Sequence, residues 1–284
     1  MNPYTAFVSG FARLVEDGRA LPLGGFPPLP RPKTPPDAPK ALFFAPHPDD
    51  ETVGGGLALR LLRQAQWNVI NVSVTLGRLP ERKAARLQEL KGACGYLGFG
   101  LVQLAPNGLD DVHPAARAAD PAAWARKVDA AVKVLAEHRP RAVFLPHEQD
   151  WNSTHIGVHY LVMDALKAMP DLKCYLVELE FWGQMQSPNL LVEHSAEEVA
   201  DLAAATSFHA GEVRRNPYHL LLPAWMQDNV RRGSELVGGQ GKAAAPFLFA
   251  QVLRLRRWNG SQVEDCFPGG RFLPSAANPA GLFP

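Results

Sequence analysis

Cysteine is scarce. The 284 residues hold three, Cys94, Cys174 and Cys266, far apart and without a CxxC pair. That excludes a disulfide framework and a thiolate zinc site, and it fits a reducing compartment. Net charge is nearly absent as well, at +1 from 29 basic and 28 acidic residues. With no bulk attraction for a polyanion, nucleic acid is not expected as a partner. No run approaches the roughly 18 apolar residues that cross a bilayer, and Met1–Arg19 lacks the basic-then-apolar order of a secretory signal. A cytoplasmic protein without stable membrane insertion is therefore expected. A GxxxxGK[ST] phosphate loop and internal repeats are also missing. The length admits either two domains or one large α/β domain with appendages.

The chain begins with Tyr4, Phe7, Val8, Phe11, Leu14 and Val15 at helical spacing. This predicts an amphipathic helix over 4–16 whose apolar face serves either the domain's own core or a subunit interface in a homo-oligomer. Eight prolines between Pro22 and Pro39 come next. Proline fixes φ and removes a donor, so this segment stays out of any sheet interior. A strap lying along the surface is expected in preference to an SH3-type ligand. From Lys40 onward, strands over 41–44, 68–75, 101–104, 141–145 and 174–179 alternate with helices over 53–65, 79–97, 122–138 and 156–166. Repeated βα units with β-branched runs predict an α/β fold, a Rossmann-like sandwich with a mostly parallel sheet. The division expected is 1–39 for helix and strap, and 40–284 for a single domain. Its segment after about residue 170 shapes the pocket, with helices over 197–206 and 225–236, a strand over 247–258 and an irregular tail from Pro268.

The chain is organised around Pro46-His47-Pro48-Asp49-Asp50-Glu51, which sits between the first strand and the Gly54-Gly55-Gly56 run. Ligands of open α/β sheets bind at such carboxyl-end corners, and one imidazole with three carboxylates beside a buried strand is costly unless something offsets it. A divalent cation does so, with His47 and Asp50 as ligands and Asp49 free to act on water. A second polar corner, Pro146 to His155, follows another strand and adds His155. Two imidazoles and one carboxylate leave positions open for water and substrate, as catalytic zinc requires. The same donors form the facial triad of non-haem Fe(II) enzymes, so the metal is not fixed by ligand type. For an isolated HxxD, a capped helix with a packed histidine is the plainer reading; the second carboxylate, the glycine run and the distant His-bearing corner shift it toward a metal. Glu51 suits either a helix cap or a hydrogen bond to a nearby histidine. The glycines permit close backbone approach.

PHPDDET-x-GGG with a downstream P-H-x-x-D-x-x-x-x-H resembles the PIG-L/LmbE family of zinc-dependent N-deacetylases. The likeness spans about 40–166 and includes R-x-x-E-x-x-x-A-x-x-x-L-G from Arg86 to Gly98. It implies an LmbE-like fold and one zinc per chain on His47, Asp50 and His155. Asp49 becomes the general base, and the partner a small N-acetylated sugar or glycoconjugate. Arg86 falls where the family has an arginine that reaches substrate, although a surface pair with Glu89 is its alternative. Many members read H-P-D-H at the second corner, where this chain has Asn152-Ser153-Thr154-His155. Asn152 can donate to an oxyanion but cannot deliver a proton. Proton delivery is then assigned to Asp49 itself or to a histidine among His147, His159, His209 and His219. His209 is favoured because it shares a polar stretch with Glu212, Arg214 and Tyr218, where Arg214 and Tyr218 are candidate substrate contacts. Asp150 is expected to orient a ligand imidazole. Asp111 is a candidate for sugar hydroxyls or else part of a solvated turn. A catalytically impaired carbohydrate-binding homologue is a further alternative. The pairs Arg231-Arg232 and Arg254–Arg257 are expected on solvated faces.

Overall fold

A computed structural model describes residues 2–284. In chain order the first half comprises α1 (Tyr4–Gly18), β1 (Lys40–Ala45), α2 (Asp50–Val53), α3 (Gly56–Ala65), β2 (Asn68–Ser73), α4 (Pro80–Leu97), β3 (Gly100–Gln103), α5 (Pro114–Ala119), α6 (Pro121–His138) and β4 (Ala142–Pro146). The second half comprises α7 (Ser153–Lys167), β5 (Cys174–Leu179), β6 (Leu190–His194), α8 (Ala196–Ser207), α9 (Ala210–Val213), α10 (Tyr218–Leu236), β7 (Phe249–Trp258), β8 (Val263–Asp265), β9 (Arg271–Leu273) and a 3-10 turn at Pro279–Leu282.

One sheet runs in the order β3-β2-β1-β4-β5-β7-β6-β9, with β8 pairing to β7. The five strands from β3 to β5 are parallel, and β7 then turns antiparallel to both β5 and β6. This is the mostly parallel α/β sheet expected. The C-terminal segment extends that sheet with four more paired strands, β6 to β9, and β9 with the 3-10 turn makes the tail from Pro268 more regular than its Pro/Gly content predicts. Side chains of β1 alternate between two cores. Ala41, Phe43 and Ala45 face one layer, with Phe43 stacked on Phe144 at 5.7 Å between centroids, while Leu42 and Phe44 face the other. The chain leaves β1 for a neighbour on one side and reaches β4 on the other, so the carboxyl ends of β1 and β4 flank the point where strand order reverses. A crevice forms there, and both polar corners open into it.

Four local departures from the sequence reading have physical causes. The expected helix over 53–65 is broken at Gly54–Gly55 into α2 and α3. β6, the short α5 and the start of α10 at Tyr218 carry no strong periodicity and were not anticipated. The apolar stripe of α1 does not enter the core: Tyr4, Phe7, Val8, Phe11 and Leu14 are exposed, and only Gly18 is buried, against Leu220. Of the arginine pairs, Arg232 is buried on Glu180, and Arg254 and Arg256 both donate to the buried Glu178; Arg231 and Arg257 are the exposed members. The proline segment lies along the surface as expected, with the Leu29 N–H donating to the Tyr96 carbonyl and Phe26 packed on Tyr96 and Phe208.

Candidate active site

His47 and Asp50 leave the end of β1, and His155 enters on the first turn of α7. Their donor atoms converge. His47 Nδ1 lies 3.2 Å from His155 Nε2, and Asp50 Oδ2 lies 3.4 Å from each. Bonds of about 2.0–2.1 Å in a tetrahedral set place ligand atoms about 3.3 Å apart, so the triangle has the dimensions of three corners of a zinc or similar site. The donor set fits a divalent metal and does not choose among zinc, iron and their neighbours. Burial by itself disfavours the charged His155 ring, but Asp50 and then Asp150 outweigh it and lift its pKa to about 9. Burial likewise opposes the Asp50 anion, yet His155 and His47 hold its pKa well below the usual carboxylate range. Asp50 is thus anionic and paired with His155, and a cation bound there would displace the His155 proton.

Asp49 stands beside this triangle in an unusual backbone state, with φ at 118°. A non-glycine residue there costs on the order of 1–3 kcal/mol, so the surroundings must impose it. The Asp49 N–H donates to Glu51 Oε2 at 2.9 Å, and its carbonyl accepts from the Thr52 hydroxyl at 2.8 Å and the Thr52 amide at 3.0 Å. Burial, then Asp50, pushes the Asp49 carboxyl pKa well up, against His209 and Arg86. Arg86 Nη2 sits 3.8 Å from Asp49 Oδ2 and donates to the Pro48 carbonyl at 3.0 Å, so Arg86 belongs to the site and not to a surface pair.

His209 is brought to the site but not to its open side. It is buried, and Nε2–H donates to Glu51 Oε1 at 2.7 Å. Glu51 therefore bridges the Asp49 amide and His209. Nε2 of His209 is thus held by Glu51, while its Nδ1 is buried and makes no hydrogen bond. His147 and His159 are held as well. His147 Nε2 is bonded to the Gly183 carbonyl and its Nδ1 accepts from the Gln149 amide, while His159 Nδ1 is bonded to the Pro146 carbonyl. Asn152 caps α7, its Oδ1 accepting from the Thr154 amide, which leaves its Nδ2 hydrogens as donors. Asp150, buried, takes the Asn152 and Trp182 amides and stands 3.7 Å from His155 Nδ1. Arg214 is exposed, and the Tyr218 ring packs edge-on to Trp182. Asp111 lies in an exposed turn with Lys127 and His113 as its neighbours, and no contact ties it to the donor group. The glycines matter for packing: a Cβ at Gly55 would stand 2.1 Å from the Glu51 carbonyl, and one at Gly56 2.6 Å from His194 and Gln251.

A second donor group, Glu148, His159 and Glu178, is also present. Arg254 bridges Glu148 and Glu178, and Arg256 also binds Glu178, so cationic partners already occupy those carboxylates. Sequence reasoning missed the Glu51–His209 bridge and the Phe181-Trp182 loop. Their partners come from distant elements, and no local spacing signals them.

Fold and site together define a Rossmann-like α/β protein with a His/Asp/His donor group, of dimensions that suit a divalent metal, at its sheet switch point and the Asp49 carboxylate beside it. Residues 42–166 match the PIG-L family model, described as GlcNAc-PI de-N-acetylase. No curated protein sequence matches the chain. Similar solved structures include N,N'-diacetylchitobiose deacetylase from Pyrococcus horikoshii, at 16% identity and a TM-score of 0.53 over 92% of this chain and 96% of that one. A conserved protein from Thermus thermophilus, TT1542, gives 20% and 0.57 over 76% and 93%. The Pseudomonas putida hydratase GalB, acting on 4-carboxy-2-hydroxymuconate, gives 18% and 0.54 over 76% and 95%. At these identities the likeness establishes the fold.

Proposed function

We propose that this chain is a metal-dependent N-deacetylase that hydrolyses the N-acetyl group of an amino sugar or sugar conjugate, with one zinc ion per chain. The observation that carries the reading is the buried, strained Asp49 carboxylate held beside the His47–Asp50–His155 triangle. Zinc in such a site polarises an acetyl carbonyl and acidifies a bound water. His47, Asp50 and His155 would hold the ion, and Asp150 would orient the His155 ring. Asp49 is the proton acceptor from water. A carboxyl whose pKa is raised by burial and by Asp50 also suits the return of that proton to the leaving amine, since Asn152 has no proton to give and His209 holds its Nε2 on Glu51. The guanidinium of Arg86 and the Asn152 amide stabilise the developing oxyanion. The Glu51–His209 pair fixes the Asp49 backbone.

The similarity to a hydratase means that fold alone does not select the reaction. The deciding measurement is acetate release from a panel of N-acetylated amino sugars by zinc-loaded protein and by Asp49→Ala, with zinc content measured on both. The expected result is release by the unmodified protein and loss of at least about a thousandfold in a folded, zinc-retaining Asp49→Ala, the size typical of general base removal with its positioning. Hydration of an unsaturated acid with no acetate from any amide would overturn the deacetylase reading, and zinc binding without either reaction would favour a carbohydrate-binding role.

A further inference from the structure

Two large aromatic side chains around the donor group have no part in the core. Of the six tryptophans, Trp67, Trp124 and Trp258 are buried and Trp225 packs on the core, while Trp151 and Trp182 are 81% and 52% exposed. Both flank Asp150, one in sequence and the other through its amide. Trp182 is set apart by how firmly its loop is held. Asp150 Oδ2 accepts from the Trp182 amide at 3.1 Å and from the Gly183 amide at 3.4 Å. The Gly183 carbonyl is bonded to His147 Nε2 at 2.8 Å, and the Met185 amide donates to the buried Glu180 carboxylate at 2.6 Å. Gly183 leaves no room for a side chain, because a Cβ there would be 2.8 Å from the Asp150 backbone. The preceding residue, Phe181, lies edge-on to the ring of His155 at 4.8 Å. Trp182 is therefore one residue further out than the wall of the donor site, on a loop pinned at four points.

Tyr218 meets it from α10, ring centroids 5.7 Å apart at 65°. An exposed tryptophan on a rigid loop, braced by a tyrosine, is a preformed surface for a flat apolar face and loses little entropy on binding. A pyranose ring has such a face, made of its axial C–H groups, and keeps its hydroxyls outward in water. The carboxylates nearby carry cationic partners, Glu212 with Arg215 and Asp49 with Arg86, so they give no preference for a charged group at that place.

Resting on the deacetylase reading, we propose that Trp182, braced by Tyr218, is the platform for a second neutral sugar ring, adjacent to the ring that carries the acetamide. The preferred substrate is then an N-acetylated disaccharide or a glycoside with a sugar aglycone, not a monosaccharide. Trp182 is a specificity residue, and its effect falls on KM.

The test measures binding and turnover separately on the zinc-loaded full chain. Binding of N-acetylglucosamine, N,N'-diacetylchitobiose and an octyl glycoside of N-acetylglucosamine is followed by calorimetry in the Asp49→Ala background, and KM and kcat in the background with Asp49 intact. The disaccharide is expected to bind about tenfold better than the monosaccharide, the scale of one aromatic contact. Trp182→Ala should abolish that ratio with kcat unchanged, and Trp182→Phe should retain most of it. A ratio that survives Trp182→Ala, an equal loss for both sugars, or no binding of the disaccharide overturns the proposal. So does a larger loss for the octyl glycoside than for the disaccharide, which would make the ring a seat for an alkyl chain. Trp182-dependent disaccharide binding without acetate release would uphold the platform and defeat the deacetylase reading, so the two fail separately.

Discussion

Removing the Glu51 carboxylate should be among the most damaging single changes in this protein, although Glu51 touches no metal donor. The side chain is fully buried and serves two partners at once, the Asp49 amide at 2.9 Å and His209 at 2.7 Å. In Glu51→Ala both N–H groups lose their acceptor inside the protein, at about 1–3 kcal/mol each. Breaking a buried charged pair by deleting one member costs about 3–5 kcal/mol when measured whole. The two routes agree on about 4 kcal/mol. The Asp49 backbone at φ 118° would also be free to relax. Glu51→Gln keeps an oxygen for the Asp49 amide and loses the charge toward His209, so about half the penalty should remain. Urea unfolding followed by circular dichroism, in zinc and again in a chelator, measures both variants. Zinc affinity should hold, and kcat in Glu51→Ala should fall while KM stays near its original value, because the base is displaced and the ligand site is not. A stability loss below about 1 kcal/mol in Glu51→Ala would mean that water replaces the carboxylate, and the claim that this bridge imposes the Asp49 conformation would be refuted.

Two further outcomes follow from the same geometry. Asp150→Asn should weaken zinc binding by about 10–100-fold, the usual effect of losing a carboxylate behind a ligand imidazole; competition with a chromophoric chelator reads this, and unchanged affinity would show that the 3.7 Å separation from His155 carries no coupling. Away from the site, Asp164 accepts from Arg117 at 2.8 and 3.0 Å and from the Trp124 indole at 3.0 Å; burial opposes its anion, but these partners outweigh it and lower its pKa. A depressed carboxyl pKa stabilises the fold above the ordinary value of about 3.9 and ceases to do so as pH falls through the lowered one. Asp164→Asn should therefore cost about 1–2 kcal/mol at pH 7, with the gap to the parent closing in acid, as unfolding midpoints between pH 2 and 7 will test.

What could be read in the sequence was what local chemistry fixes. β1 is legible because Ala41–Phe44 is an uninterrupted apolar run, as a parallel strand covered on both faces requires. His47, Asp49 and Asp50 are legible because charge crowded at a strand end demands a partner. His155 lies 108 residues from His47, yet it too follows a strand end, and the adjacency of β1 and β4 brings both ends to one crevice. His209 marks the limit of this reasoning. Its place in a polar stretch is visible, but whether its ring faces the crevice or the protein depends on Glu51, 158 residues away, which the chain order does not disclose. Trp182 is not legible for a related cause. An aromatic in an irregular segment is uninformative until the hydrogen bonds that immobilise it are known, and those come from Asp150, Glu180 and His147 on two different loops. Residues whose role depends on one neighbour in the chain were recoverable, whereas those whose role depends on a long-range pair were not. The proposed proton route is of the second kind: His209 Nε2 is held by Glu51, and His147 and His159 by backbone groups, so with Asp49 returning the proton the pH dependence of kcat should track one carboxyl group, and a profile that follows an imidazole would pass the role to His209 or His219.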